Sequence, residues 1–266
     1  LVPGPRVRIS ITLLSQTGGH GDPWEASGCS TPIFVPHPGR PAGVVDGADE
    51  ARRKVRELVR AGADVIKIAT SGGVVSPRDD PRHAHFRDAE VAVMVQEATA
   101  AGIGVMAHAG SVDGIKTAVR NGVRSIEHGD FLDEEAIELM LARGTWLVPT
   151  LIAGRGVLEA AESGAVPPHM VDKAHLVVDA HRTSMRTAIA AGVKIAFGTD
   201  SGVTRHGRNL EELALMVDCG MTPAAALHSA TLSAAQLLGV DSDLGSVEPG
   251  KVADLVVVEG DATNID

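Results

Sequence analysis

Lys67 in VIKIAT, His108 in VMAHA, His128 in SIEHG and Asp200 in AFGTDSG each stand at the end of an apolar segment, and their types together suit a divalent metal site. Imidazole ligates zinc and similar ions, and a carboxylate can both ligate and take a proton from water. An ammonium ion does neither. A lysine that reacts with carbon dioxide becomes a carbamate, an anion whose two oxygens can bridge two cations. Water on such a cation ionises near pH ~7, so the set would supply hydroxide with a base beside it. Each residue also has a plainer account. Lys67 could snorkel to water or pair with a carboxylate, the histidines could be strand-end packing residues, and Asp200 could cap a helix. Placement favours the shared site, because function collects where parallel strands run out into the following loops.

Those strands are legible in the hydrophobic pattern. Strand-like segments fall at 7–14, 64–69, 103–107, 124–127, 145–151 and 194–198, with helical stretches at 48–61, 88–101, 112–121, 133–143, 168–191, 207–219 and 222–238. Asp88, Asp133 and Thr222-Pro223 read as helix starts. Gly62, Gly102, Gly122, Gly144 and Gly192 each follow a helical stretch and precede a strand, the place of a C-cap glycine. Strand then helix, repeated, predicts an α/β fold with parallel strands. In VIKIAT, alternation sets Val65, Lys67 and Ala69 on one face and Ile66 and Ile68 on the other. A long segment, 14–46, is rich in Gly, Pro, Ser and His, and loops of that length in a compact domain are usually functional or disordered. After the last helix, GSVEPGKVADLVVV predicts two short strands about a Pro-Gly turn.

Composition narrows the function classes. The 266 residues are 44% hydrophobic, enough to bury a full core in one large domain. The formal charge of -10 makes nucleic acid an unsuitable partner, since phosphate binding needs clustered positive charge. The basic run Arg52, Arg53, Lys54 and Arg56 is interspersed with Glu50 and Glu57 and reads as a solvated helix face. Cys29 and Cys219 form no CxxC pair, which argues against a cysteine zinc site and fits a reducing, cytoplasmic setting. No apolar run has the length of a membrane span. Leu1 is not an initiator methionine, so an upstream segment is expected and localisation stays open, as does assembly into a homo-oligomer.

Other polar residues are candidates for holding substrate. His20 in QTGGHGD could orient a substrate carboxylate or simply fold a turn, and Arg205 and His206 follow Asp200 in the next loop. Glu127 points to the face opposite His128 and reads as a packing or supporting residue. His83, His85, His169, His175, His181 and His228 read as structural or surface residues. Neither GRPAG nor TSGG is a phosphate-binding loop.

The set DVIKIATSGG, VMAHAG, SIEHGDFLDEEAIELM, AFGTDSG and LGSVEPGKVADLVVV resembles the amidohydrolase superfamily, and within it the imidazolonepropionase-like metal peptidases that include Xaa-Pro dipeptidase (prolidase). The resemblance implies a TIM-like (β/α)8 barrel with a binuclear zinc site and a small β-sandwich built from both chain ends. It makes Lys67 the carboxylated bridging ligand, His108 and His128 ligands of one metal, and Asp200 a ligand and the catalytic base. The family's HxH motif on its first strand has no counterpart here. HAH at 83–85 lies on the wrong side of the lysine strand. Gly110 stands where many relatives have another histidine. The expectation is an N-terminally incomplete barrel over 1–240, without its first two strands and with one zinc half-site, and a β-sandwich remnant over 241–266. The implied activity is cleavage of an amide bond in dipeptides or N-acyl amino acids by a metal-activated hydroxide. Two alternatives stand beside it: the same centre acting on an ester, lactone, carbamate or phosphotriester, or a non-catalytic barrel serving as a binding partner.

Overall fold

The computed structural model describes residues 4–25, 27–30, 37–162 and 164–265, and the chain divides into two compact units, Leu1–Arg124 and Ser125–Asp266. The first runs β1 (Leu13–Leu14), α1 (Ala48–Arg60), β2 (Val65–Ala69), α2 (Asp88–Ala100), β3 (Gly104–Ala109) and α3 (Val112–Arg120). Its strands pair in chain order and all in parallel, β1 with β2 and β2 with β3. That is the strand–helix alternation the sequence predicts.

Amphipathic spacing explains why the helices dock. In α1, Ala51, Lys54, Val55 and Leu58 are buried, a stripe at helical period. Val55 and Leu58 are fully enclosed, which stabilises by about 1.5–3 kcal/mol for each such side chain. Lys54 is a correction to the solvated basic face: it is buried, with Nζ donating to Glu57 at 2.6 Å. Arg56 does face outward and ties α1 to α2 through two bonds to Glu97, at 2.8 and 3.0 Å. The helix starts are built much as their sequences suggest. Ser111 accepts the Gly114 N–H before α3, and Glu90 reaches back to the Arg87 N–H, so α2 is capped from Arg87 rather than from Asp88.

The second unit runs β4 (Ser125–His128), α4 (Glu134–Arg143), β5 (Trp146–Val148), α5 (Leu151–Glu162), α6 (Pro168–Ala191), α7 (Glu211–Asp218), α8 (Pro223–His228) and α9 (Ala234–Leu238), with Ser229–Ser233 forming a π-helical turn between the last two. β4 and β5 are parallel. The segment expected as a strand at 194–198 lies beside β5 through one parallel bridge, Leu147 to Ile195. The Leu147 N–H donates to the Lys194 carbonyl at 2.8 Å and the Ala196 N–H to the Leu147 carbonyl at 3.0 Å. Asp133 and Thr222 cap α4 and α8 with their side-chain oxygens. The five glycines before strands all have positive φ, from 65° at Gly144 to 93° at Gly62, a conformation glycine adopts without a Cβ penalty.

Three expectations change. The strand expected at 7–14 shrinks to Leu13–Leu14, because Ile11 turns left-handed at φ 66° and Val7 and Ile9 are exposed. Helix α5 occupies the end of the segment expected as a strand at 145–151 and continues beyond it; Gly154 and Gly156 mask its periodicity in the sequence. Gly156 is there for packing, since a Cβ would lie 2.2 Å from the Thr204 methyl. The two strands expected in GSVEPGKVADLVVV do not form, and Val247, Val256 and Val257 are 84, 89 and 95% exposed. A strand is held by its ladder, and among the described residues none pairs with this segment. Among the described residues no helix is long and apolar enough to cross a membrane. Part of the 14–46 loop, including 31–36, lies outside the described residues.

Candidate functional site

In the first unit Lys67 is the third residue of β2, two short of the strand end where the sequence pattern put it. It sits opposite Leu13 of β1 and Met106 of β3, while Ala69 sits opposite His108. Lys67 and His108 therefore share a sheet face, offset by two residues along the strands, roughly 6–7 Å. His108 is buried, and its Nε2–H donates to the Gly72 carbonyl at 3.0 Å, which makes Nδ1 the lone-pair nitrogen. Burial, then the charges of His20 and Lys67, hold its pKa well below the ordinary 6.5. The ring is neutral at physiological pH, the form that ligates a metal.

His20 stacks on His108 with ring centroids 4.0 Å apart and planes 8° from parallel. Its Nδ1 lies 2.9 Å from the Ser76 hydroxyl, which in turn bonds the Asp79 carboxylate. Asp79 also accepts the Gly73 N–H at 3.1 Å and approaches His20 Nδ1 to 3.7 Å. The glycines of TSGG gain a purpose here: a Cβ on Gly73 would lie 2.3 Å from the His20 ring and 3.0 Å from that of His108. Gly73→Ala is expected to destabilise the protein by about 1–3 kcal/mol, the usual cost of overpacking, and to part the two rings. Urea denaturation of the variant measures the first effect; wild-type stability would mean the stack is loose.

The second unit holds His128 and Asp200 on strained corners. His128 at the end of β4, Thr150 just after β5, and Asp200 have φ of 74°, 53° and 50°. Left-handed backbone is costly for non-glycine residues, most of all β-branched ones, at about 1–3 kcal/mol each, and it clusters at functional sites. His128 Nδ1 lies 2.6 Å from the Thr150 hydroxyl. Asp200 is exposed, and its neighbours Thr199 and Ser201 are drawn together by the Asn209 amide, at 3.1 and 2.7 Å. Helix α7 begins only at Glu211, so the helix-capping account of Asp200 is excluded. Gly198 lets this segment approach β5, since a Cβ would lie 2.3 Å from Val148. Arg205 and His206 sit on an exposed turn after Asp200, while Arg208 is committed to Glu159 and Glu211.

Beneath His128 lies a pair that the sequence pattern does not single out. His181 of α6 is buried, with Nδ1 3.5 Å from the Asp130 carboxylate. Burial pushes His181 down to about 4 and Asp130 up to about 7, so both approach the uncharged form near neutrality. The carbonyls of His128 and Pro149 face the His181 ring and favour its proton. His85 is likewise buried and acts electrostatically on His108, whereas His83 beside it is exposed, so HAH does not act as a ligand pair. Glu127 packs as expected, accepting the Ser125 hydroxyl at 2.6 Å.

The structure thus gathers Lys67, His108 and His20 in the first unit, and in the second it sets His128 and Asp200 on strained turns after β4 and the 194–198 segment, which lie on either side of β5. Among the described residues no three His, Cys, Asp or Glu side chains are close enough together to hold a metal ion. The donor types in each unit still suit a cation: in the first, the His108 imidazole with its lone pair on Nδ1, and in the second, the His128 imidazole and the Asp200 carboxylate. Lys67 fits only as a carbamate, because an ammonium ion repels a cation. Ser76, Asp79, Thr150 and Asn209 carried no signal in the sequence, since their roles rest on contacts across loops.

The sequence model for the amidohydrolase family matches residues 1–265. Ochratoxinase of Aspergillus niger is 37% identical over 272 aligned positions, covering 97% of this chain and 55% of that protein. Among solved structures, a Xaa-Pro dipeptidase with bound methionine in its active site superposes with a TM-score of 0.89 at 40% identity, over 98% of this chain and 64% of that one. A prolidase complexed with N-methylphosphonate-L-proline superposes with a TM-score of 0.89 at 37% identity, over the same shares. The chain therefore spans between half and two thirds of the length of these relatives.

Proposed function

The chain belongs to the amidohydrolase family, and from that premise we propose that it supplies the catalytic part of a metal-dependent hydrolase cleaving the amide bond of dipeptides or N-acyl amino acids. The observation that carries the proposal is the pair of imidazoles with orienting partners, His108 on Gly72 and His128 on Thr150, at the carboxyl ends of parallel strands. Metal-ligating histidines characteristically have their second nitrogen held in this way. The prolidase and dipeptidase relatives support the substrate class.

His108 would hold a divalent cation through Nδ1 and His128 through Nε2, with Asp200 and Lys67 as carboxylate and carbamate ligands. The cation would polarise the scissile carbonyl and make water nucleophilic at neutral pH. The resemblance implies zinc; ligand type alone suits manganese or cobalt equally. Asp200 would take the proton of the attacking water on a carboxylate oxygen and pass it to the leaving nitrogen, so that C–O forms, C–N breaks and the amine leaves neutral. His20, held by Ser76 and Asp79, and the exposed Arg205 and His206 would hold the substrate carboxylate. Substrates are small molecules.

The test is turnover of a panel of Xaa-Pro dipeptides, other dipeptides, N-acyl amino acids, esters and lactones by the protein at its full translated length. Preferred cleavage of amides bearing a free carboxylate is the expected outcome. Equal or better turnover of neutral esters or lactones would sink the substrate assignment, and Arg205→Ala should raise KM more than it lowers kcat.

A further inference from the structure

Glu212 has no role in the chemistry above, yet it is a fully buried carboxylate. It projects from α7, and its two oxygens accept the backbone N–H groups of Leu151 at 2.9 Å and Ile152 at 2.7 Å. These are the first two residues of α5. Helix starts leave such N–H groups without intrahelical partners, and an anion is favoured there by the dipole. The cap comes from a distant helix, however, and its position is specific. The residue immediately before Leu151 is Thr150, buried and left-handed at φ 53°, whose hydroxyl meets His128 Nδ1 at 2.6 Å. His128 is itself left-handed at φ 74°.

Two adjoining strained corners, joined by one short hydrogen bond, need something to hold them. Strain of this kind persists only where surrounding structure over-determines it. A single pinned turn does so here. With the N–H groups of Leu151 and Ile152 fixed, the Thr150 backbone has little freedom, and its hydroxyl is aimed at the ring.

We propose that Glu212 is a positioning residue for His128, acting through the first turn of α5 and the Thr150 hydroxyl, so that His128 carries its proton on Nδ1 and presents Nε2 as its lone-pair nitrogen. This rests on His128 being a metal ligand only for its purpose. The tautomer itself is a property of the metal-free chain. Sequence spacing gives no hint of it, since Glu212 lies far along the chain from both partners.

The experiment is long-range proton–nitrogen NMR of the imidazole rings in the metal-free, nitrogen-15-labelled chain, near pH ~9, where ordinary imidazoles are neutral. In the wild type, His128 should show a protonated Nδ1 and an unprotonated Nε2. Glu212→Gln, whose amide cannot accept at both positions, and Thr150→Val should move the His128 Nδ1 signal toward the unprotonated range. Thr150→Ser should retain the wild-type signal. A wild-type His128 protonated on Nε2 would overturn the proposal, as would a folded Glu212→Gln with an unchanged His128. Glu212→Asp, one methylene short, carries the same test if the Gln variant does not fold. Loss of fold in both would make Glu212 a structural residue and overturn the positioning role. Absence of metal binding with the Nδ1–H tautomer in place would instead count against the hydrolase proposal alone.

Discussion

Asp200→Asn is expected to lower kcat by about 10²–10⁴-fold, the usual contribution of a positioned proton acceptor, while leaving the fold intact. The amide preserves the shape of the carboxylate but cannot take the proton of water. Its backbone is the reason to expect a clean result. Asp200 is left-handed at φ 50°, and asparagine is among the residues most tolerant of that region. The turn is further held by the Val203 N–H on the Asp200 carbonyl and by Asn209 on the flanking hydroxyls. Steady-state kinetics beside a thermal melt separate the two effects. A near-wild-type rate in a folded variant would remove Asp200 from the proton-transfer role.

Glu212→Ala should be the most destabilising of the changes considered, by about 2–5 kcal/mol. It would leave two buried amide N–H groups without acceptors, each worth about 1–3 kcal/mol, and open a cavity at a fully enclosed position. Urea denaturation measures it, and a loss under about 1 kcal/mol would mean that water replaces the carboxylate freely. The same group gives a pH signature. Burial pushes Glu212 up to about 8 against the two N–H bonds, which act to lower it. A carboxyl raised in the folded state contributes stability that is fully present below its unfolded pKa and lost as pH rises through the folded one. Its contribution should therefore decline between about pH 4.5 and 8, and Glu212→Gln should flatten that slope.

The sequence carried the repeating architecture further than it carried the site. Period and punctuation were enough for α1, α2, α3 and α4, because each pairs a buried stripe with a cap or a following glycine, and the following Gly192 marks the end of α6. They failed at α5, where Gly154 and Gly156 break the pattern for the sake of close packing. They failed also in the LVVV segment, whose composition suits a strand but whose ladder depends on residues elsewhere. For the site, residue type at strand ends singled out His108, His128 and Asp200. What orients them was hidden, because Gly72, Thr150, Asn209 and Glu212 act through a carbonyl, a hydroxyl, an amide and a carboxylate brought in by the fold. His181 read as either structural or surface and is buried against Asp130; a 24-residue helix with weak amphipathicity does not announce which face is inward.

The central claim is that this chain's histidines and carboxylate serve a hydrolytic metal, and metal reconstitution tests it most directly. The full translated protein would be stripped with a chelator and titrated with zinc, manganese or cobalt, with bound metal and dipeptide turnover followed together. Turnover lost on stripping and regained in step with bound metal, with both abolished in His128→Ala and His108→Ala, is the result predicted. Turnover that survives stripping, or metal bound equally well by both histidine variants, would contradict it.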